Sequence, residues 1–264
     1  MVNTGCQVRY GIREAFRDAV DLILPYRCAI CGRVSDTEDR FGDYGRLYRN
    51  LYGREHELHI CGTCLSSLNI LEPERRWSLC LSNPVENDMC PGLALYMPFT
   101  YMGIAEQAVP KIKFGGKIEL ARLFGILLGS ALLNEGVRAD IAVPVPLSAE
   151  RLAERGFNQA SEIAYPAARL NGLLFADDLL IRIRNTGRQS DITGNNERAA
   201  NVTGAFEVSE GWDITGMTVI VFDDVATSGS TLHEAAVTLY RAGAAKVLCV
   251  AFAGNRHIRN AEAF

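Results

Sequence analysis

Long apolar runs and an excess of basic residues are missing from this sequence, and we expect no secretory signal. Its 264 residues are 48% hydrophobic and 22% charged, which is ordinary for a globular protein and excludes fibrous or disordered classes. The longest nearly apolar run, residues 124–133, is too short to span a bilayer. Charged residues, among them Arg9, Arg13 and Arg17, interrupt the apolar stretch that a secretory signal would need near the N-terminus. We therefore expect a cytoplasmic protein without membrane association. The net charge of −4 offers no overall basic footprint for nucleic acid.

Common nucleotide-binding glycine motifs are also missing. The chain has no G-x-G and no G-x-x-x-x-G-K-[S/T], which excludes a Rossmann fingerprint and a P-loop. After about residue 93, apolar runs alternate with helical patterns, which predicts an α/β domain with a mostly parallel central sheet and flanking helices. We predict helices over 118–133, 149–170 and 231–242, and strands over 94–101, 141–147, 173–183, 217–222 and 246–252. The polar residues 185–203 show no periodicity and predict a long loop.

Seven of the eight cysteines lie before residue 91. This clustering predicts a small metal-binding domain, which together with an N-terminal helix predicted over 12–24 makes up residues 1–92 and is followed by the α/β domain over residues 93–264. Four of them form two C-x-x-C pairs, Cys28 with Cys31 and Cys61 with Cys64. Two such pairs supply the ligands of a tetrahedral zinc site, and the long spacing between them is tolerated because loop-closure cost grows slowly with length. Four reduced structural cysteines are the alternative.

The most informative segment is the apolar strand predicted over 217–222, which runs into Asp223 and Asp224. A Thr/Ser/Gly loop (residues 225–231) follows, and then a helix. Ligands of open α/β sheets bind at the carboxyl ends of strands, where loop N–H groups and a helix N-terminus suit a phosphate and the acids suit sugar hydroxyls. Taken alone, the pattern also fits an N-capped turn whose acids face water.

A second candidate segment follows the strand predicted over 141–147. Arg151 and Arg155 are four residues apart and share a helix face, where their guanidinium groups can hold a pyrophosphate. From spacing alone, a solvated face that pairs these arginines with Glu150 and Glu154 is the favoured interpretation.

Four blocks of the chain, in order over about residues 95–253, resemble the ComF family of type I phosphoribosyltransferase-like proteins. They are K-I-K-F-G at 111–115, V-P-V-P-L with R-G-F-N-Q at 143–159, R-N-T-G-R-Q with R-A-A-N-V-T-G-A-F at 184–206, and D-D-V-A-T-S-G-S-T at 223–231. The last block is similar to the type I signature for binding 5-phosphoribosyl-1-pyrophosphate (PRPP).

The resemblance implies roles for particular residues. Asp223 and Asp224 would bind the ribose 2′ and 3′ hydroxyls of PRPP and act in catalysis together with Arg188 and Arg198 of a lid over residues 185–203. The implied cradle of the 5-phosphate is Val225, Ala226, Thr227, Ser228, Gly229, Ser230 and Thr231. The implied pyrophosphate ligands are Pro146, Leu147, Arg151, Arg155, Asn158 and Gln159.

By the same resemblance, PRPP is used with Mg²⁺, pyrophosphate leaves, and the phosphoribosyl group passes to an acceptor that the sequence does not identify. Tyr101, Phe114 and Phe157 lie where a base could bind, but we expect each to belong to the core. The family typically begins with a double zinc ribbon. Here Cys80 and Cys90 each lack a partner cysteine, so we expect the second metal site to be degenerate.

Three functional hypotheses follow from the resemblance. The chain is an active phosphoribosyltransferase of nucleoside metabolism, a PRPP-binding regulatory protein without turnover, or a factor in DNA uptake during natural transformation. In the third case its partner is a helicase or other protein of the competence machinery, or single-stranded DNA. The intact acidic signature favours the first two hypotheses, and the acidic net charge weighs against tight direct DNA binding.

Overall fold

The computed structural model describes residues 27–34, 47–48, 50–53, 60–68, 70–79, 93–184 and 203–254. The centre of this part of the chain is a seven-stranded, mostly parallel sheet with helices on both faces. This confirms the predicted α/β class. Within the described residues, no helix is both long enough and apolar enough to cross a bilayer.

The strands and helices are numbered along the chain. The strands are β1 (Trp77–Leu79), β2 (Ala94–Tyr96), β3 (Phe99–Thr100), β4 (Ile141–Pro144), β5 (Leu174–Phe175), β6 (Leu180–Arg182), β7 (Phe206–Val208), β8 (Thr218–Ala226) and β9 (Lys246–Gly254). The helices are α1 (Gly62–Ser66), α2 (Ile104–Gly115), α3 (Ile118–Asn134), α4 (Ala149–Arg155), α5 (Gln159–Asn171) and α6 (Ser230–Arg241). The sheet order is β1-β2-β9-β8-β4-β5, with β3 also beside β9. Its described pairs are parallel except β1 with β2, and β6 and β7 form a separate antiparallel pair.

Side chains of β8 alternate between two hydrophobic layers, because successive residues of a strand point to opposite faces. Ile220 and Phe222 lie in the layer that contains residues of α2, α3 and α5, and Val219 and Val221 lie in the layer that contains residues of α6. In the first layer α3 packs closely on α5. A Cβ atom added at Gly125 of α3 would collide with the carbonyl oxygen of Ile163 in α5.

The structure divides three of the predicted elements. The strand predicted over 94–101 is two short strands, β2 and β3. The helix predicted over 149–170 is two helices, because Gly156 takes a left-handed φ of 78° after α4 and the Asn158 side chain caps α5 by accepting from the Ala160 amide. Pro166 lies inside α5. The strand predicted over 173–183 is two short strands, of which β5 joins the main sheet and β6 pairs with β7.

Helix α2 has no counterpart among the predicted elements. It carries Phe114 at its last turn, where the ring is 76% exposed, so the expectation that Phe114 is a core residue was wrong. Phe157 is buried as expected. The predicted strand over 217–222 is longer than expected, since β8 continues to Ala226 and carries both acids within it.

Some predictions fall on parts of the chain that are not described. The residues outside the described part of the chain are the helix predicted over 12–24, Cys80, Cys90, and residues 185–202 of the predicted loop with Arg188 and Arg198. Strand β1 precedes the predicted domain boundary at residue 92 and pairs with β2 at the edge of the main sheet. The division into two domains stays a prediction.

Candidate functional site

The strands β4 and β8 end at different heights, and this opens a cleft in the sheet. Pairing of β8 with β4 stops at Pro144 opposite Phe222, whereas its pairing with β9 continues to Ala226 opposite Gly254. The last residues of β8 therefore have an open side, which is the position where α/β sheets bind ligands. A cavity of about 190 Å³ lies there. Its lining residues are Tyr101, Lys113, Val145, Pro146, Leu147, Arg151, Arg155, Gln159, Arg182, Asp223, Asp224, Val225, Thr227 and Thr231.

Two adjacent carboxylates, Asp223 and Asp224 (the acid pair), line this cavity. Asp224 is only 5% exposed, and its Oδ2 lies 2.6 Å from the Nζ of Lys113 on α2. The backbone N–H of Asp224 donates to Oδ1 of Asp223 at 2.8 Å. Because neighbouring residues of a strand face opposite sides, the two carboxylates approach the cavity from the two layers of the sheet.

The electrostatic environment gives the two carboxylates different pKa values. Burial raises the pKa of Asp223 to about 8, and the adjacent carboxylate of Asp224 contributes in the same direction. Burial opposes ionisation of Asp224 as well, but the ammonium of Lys113 outweighs it and holds the pKa of Asp224 below its ordinary value. Near neutral pH the acid pair therefore keeps a proton, which resides mainly on Asp223.

The Thr/Ser/Gly loop connects the acid pair to the N-terminus of α6. Gly229 has a φ of 75°, a left-handed backbone conformation that is unfavourable for residues with a side chain. Its carbonyl oxygen accepts a hydrogen bond from the backbone N–H of His233 in the first turn of the helix. The hydroxyl oxygens of Ser228 and Ser230 are 2.9 Å apart. A smaller cavity is lined by Asp223 and residues 225–232. The positive end of a twelve-residue helix dipole makes this position suitable for a phosphate.

Three guanidinium groups line the same main cavity: those of Arg151, Arg155 and Arg182. Arg155 donates from one terminal nitrogen to Oε1 of Gln159 at 2.9 Å, and its carbon Cζ lies 5.7 Å from the centre of the Phe114 ring. The buried Nε of Arg155 has no hydrogen-bond partner among the described residues. An unpaired buried donor is costly, so an anionic ligand that accepts from Nε would relieve this cost.

The two C-x-x-C pairs, Cys28, Cys31, Cys61 and Cys64, meet in space and are called the cysteine cluster here. Their four Sγ atoms all lie within 4.8 Å of one another. The Sγ atoms of Cys31 and Cys61 are 3.8 Å apart, and a tetrahedral site with Zn–S bonds of about 2.3 Å requires a separation of about 3.8 Å. The backbone N–H of Cys31 donates to the Cys28 sulfur at 3.5 Å. The donor set and its size therefore fit a metal ion of the zinc type.

A family model described as phosphoribosyl transferase domain matches residues 166–262. The DNA utilization protein YhgH of Salmonella typhimurium is 29% identical over 193 residues, which are 71% of this chain and 81% of that protein. The competence protein ComFC of Bacillus subtilis is 32% identical over 150 residues, which are 56% of this chain and 58% of that protein.

These similarities support a ComF-family, type I phosphoribosyltransferase-like protein. Its sheet and helices form the type I phosphoribosyltransferase fold, and the cysteine cluster towards its N-terminus fits a zinc ribbon. A solved structure, the glutamine PRPP amidotransferase of Bacillus subtilis, is 22% identical and covers 50% of this chain and 25% of its own, with a TM-score of 0.35. A score this low supports no statement about the ligand.

The ComF fold brings together most residues that the sequence singled out. The acid pair, Val225, Thr227 and Thr231 line the main cavity with Pro146, Leu147, Arg151, Arg155 and Gln159. Ala226, Ser228, Gly229 and Ser230 line the smaller one. Asn158 is absent from both sets of lining residues. Its amide donates to the carbonyl of Val145 at 3.0 Å, and so it supports the segment that carries Pro146.

Sequence reasoning missed three residues that line the main cavity, namely Lys113, Val145 and Arg182. Lys113 belongs to the K-I-K-F-G block at 111–115. This block resembles a segment of the ComF family, but the resemblance implied no role for Lys113. Tyr101 was expected to be a core residue, yet it is only partly buried and faces the cavity. Arg182 lies on β6, and no local pattern distinguishes it from other exposed arginines.

Proposed function

We propose that this ComF-family chain binds PRPP with Mg²⁺ and transfers the phosphoribosyl group to an acceptor, releasing pyrophosphate. The observation that carries the proposal is the single cavity that joins the acid pair, the Thr/Ser/Gly loop and three arginines. A sugar flanked by two phosphate-bearing ends needs these three kinds of contact at once.

The acid pair would bind the ribose. Asp224, kept ionised by Lys113, accepts hydrogen bonds from a ribose hydroxyl, and Asp223 binds the neighbouring hydroxyl from the other side. The Thr/Ser/Gly loop would hold the 5-phosphate with its hydroxyl and backbone N–H groups at the start of α6. Gly229 allows the backbone to turn towards that phosphate without steric strain.

The arginines would bind the pyrophosphate end. Arg151 and Arg155 offer planar, charged donors, and the unpaired Nε of Arg155 is a further donor. In the reaction, the bond from the anomeric carbon to pyrophosphate breaks and a bond to the acceptor nucleophile forms, through a transition state with positive charge on the sugar. This chain's residues would assist by positioning the sugar and stabilising the negative charge of the departing pyrophosphate. Bound with PRPP, Mg²⁺ would neutralise part of that negative charge.

The cysteine cluster would hold structural Zn²⁺. Four thiolates, whose sulfur atoms lie within 4.8 Å of one another, would complete the tetrahedral coordination of the ion, so no open position would remain for a substrate. The reaction would therefore take place in the cavity at the ends of β4 and β8, whereas the cysteine cluster would stabilise the fold.

Calorimetric titration with PRPP, with and without Mg²⁺, tests the function. We expect saturable, Mg²⁺-dependent binding that weakens at least about tenfold in the Asp223→Asn/Asp224→Asn double variant, since losing the charged hydrogen bond of Asp224 costs about 1.5–3 kcal/mol. Asp177→Asn, at an exposed position outside the cavity, is the matched control. Absence of binding by the wild-type protein, or equal binding by the double variant, would contradict the proposal. If binding is observed, release of pyrophosphate in an acceptor screen then separates turnover from binding alone.

A non-catalytic role in DNA uptake is the second candidate, and the relatives named as a DNA utilization protein and a competence protein favour it. In this role the fold would bind a protein partner or single-stranded DNA. Binding to a single-stranded oligonucleotide that falls steeply with salt would support the DNA contact. Under this candidate the double variant at the acid pair should bind the oligonucleotide as the wild type does.

A further inference from the structure

Helix α2 contacts both the cysteine cluster and the acid pair through its last turn. The Nζ of Lys111 donates to the carbonyl oxygen of Ile30, which lies between Cys28 and Cys31 in the chain. Two residues later, the Nζ of Lys113 lies 2.6 Å from Oδ2 of Asp224. A lysine anchored beside the metal ligands and a lysine anchored at the cavity therefore share a single helical turn.

The connection between these two contacts is stiff. Ile112, between the two lysines, is 1% exposed and belongs to the same hydrophobic layer as the four cysteines, Ile30 and Ile60. The end of the turn is closed by Gly116, whose N–H bonds to the carbonyl of Lys111. A shift of the Ile30 carbonyl would therefore move the helix turn as a body, because packed interiors transmit displacements.

We propose that Lys111 is a positioning residue that couples metal binding at the cysteine cluster to the placement of Lys113 against Asp224. This inference rests on the proposed function, because its consequence is a metal-dependent affinity for PRPP. With metal bound, the C-x-x-C turn is ordered and its Ile30 carbonyl is held in place for Lys111. Without metal, the turn loses its cross-link, Lys111 loses a fixed acceptor, and Lys113 no longer holds Asp224 in its binding position.

A cycle of two changes, Lys111→Met and metal removal, measures this coupling by calorimetry with Mg²⁺–PRPP. We expect metal removal by a chelator to weaken binding about tenfold in the wild type. Lys111→Met should weaken binding by a similar factor with the metal still bound, and metal removal from this variant should add little. A residue with a merely structural role would give independent, additive losses.

Two further variants control the cycle. Lys117→Met removes an exposed lysine just beyond α2 and should leave both the affinity and its metal dependence as in the wild type. Lys113→Met should weaken binding with the metal bound, and metal removal from this variant should add little. Wild-type affinity in a Lys111→Met protein of normal metal content would overturn the coupling and leave PRPP binding itself standing.

Hydrogen exchange of residues 104–115 provides a readout that needs no PRPP. We expect faster amide exchange in the last turn of α2 in metal-free wild type and in metal-loaded Lys111→Met, with unchanged exchange in Lys117→Met. Unchanged exchange in metal-loaded Lys111→Met would overturn the coupling. If the wild type binds no PRPP, the proposed function fails, and this exchange measurement still decides whether the two sites communicate.

Discussion

Asp223 and Asp224 are adjacent in the chain but have different neighbours. Asp224 faces Lys113 and stays ionised, whereas Asp223 lies on the other side of β8 and holds a proton because burial raises its pKa to about 8. An acid with a raised pKa binds a proton more tightly in the folded than in the unfolded protein. Its contribution to stability is therefore largest below pH 4 and is lost as pH rises from about 4 to about 8.

This asymmetry predicts a pH-dependent effect of Asp223→Asn on the ligand-free protein. At pH 5 the variant should be about as stable as the wild type, since an amide resembles a protonated carboxyl. At pH 8 we expect it to be more stable by about 1–2 kcal/mol, less than the full pKa shift implies because Asp223 is partly exposed. Urea unfolding at the two pH values measures the difference. An equal gain at both would contradict the assigned protonation.

At the scale of elements, the packing of α3 on α5 helps to position the cavity wall. The first residue of α5 is Gln159, which lines the cavity. Gly125 makes this packing sterically tolerable. Without it, a methyl group would meet the Ile163 carbonyl and the Pro166 ring. The glycine is therefore a packing requirement, even though it lies in the middle of a helix and lowers helix propensity.

We expect Gly125→Ala to destabilise the fold by about 1–3 kcal/mol, the usual cost of overpacking a close contact. Gly115→Ala is the matched control, since its Cβ would meet only the Lys111 side chain at 3.8 Å and its backbone is helical. This control should gain about 0.5–1 kcal/mol from reduced chain entropy. Chemical denaturation of both variants measures the change in the free energy of unfolding, which should fall for Gly125→Ala and rise for Gly115→Ala. Destabilisation of the same size in both would refute the packing argument.

The elements also show what the sequence can and cannot predict. Strand β9 and helix α6 have uniform apolar or amphipathic patterns, and their predicted bounds were confirmed within two residues. Helix α2 was missed because Pro110 and the Gly115–Gly116 pair interrupt its short pattern. The contact of Lys113 with Asp224 joins positions more than a hundred residues apart. Such a contact depends on how helices pack on the sheet, which local periodicity does not encode.

At the scale of the whole molecule, the cysteine cluster lies in the same hydrophobic layer as α2, α3 and β8. Residues from the beginning of the chain therefore share a core with the sheet that carries the cavity. A metal ion bound by folded but not by unfolded chain stabilises that shared core by mass action.

We expect the purified protein to contain about one zinc ion per chain, and Cys61→Ser to lose it and lower the melting temperature by at least about 5 °C. Cys249→Ser is the control, because Cys249 is a buried strand residue outside the cysteine cluster. It should retain the metal. Elemental analysis by mass spectrometry and calorimetric melting check both variants. A metal content that is unchanged in Cys61→Ser, or iron in place of zinc, would overturn the assignment.

The continuous pairing of β8 with β9 restricts how the sequence of this strand can change in evolution. Its pairing with β9 continues past the acid pair, and its side chains alternate between two different layers. Deleting or inserting a single residue upstream of Asp223 would exchange the faces of every residue that follows and put each acid in the other's surroundings. The segment can therefore accept substitutions but not changes of length, and alignments of related sequences should show gaps at its ends and none inside it.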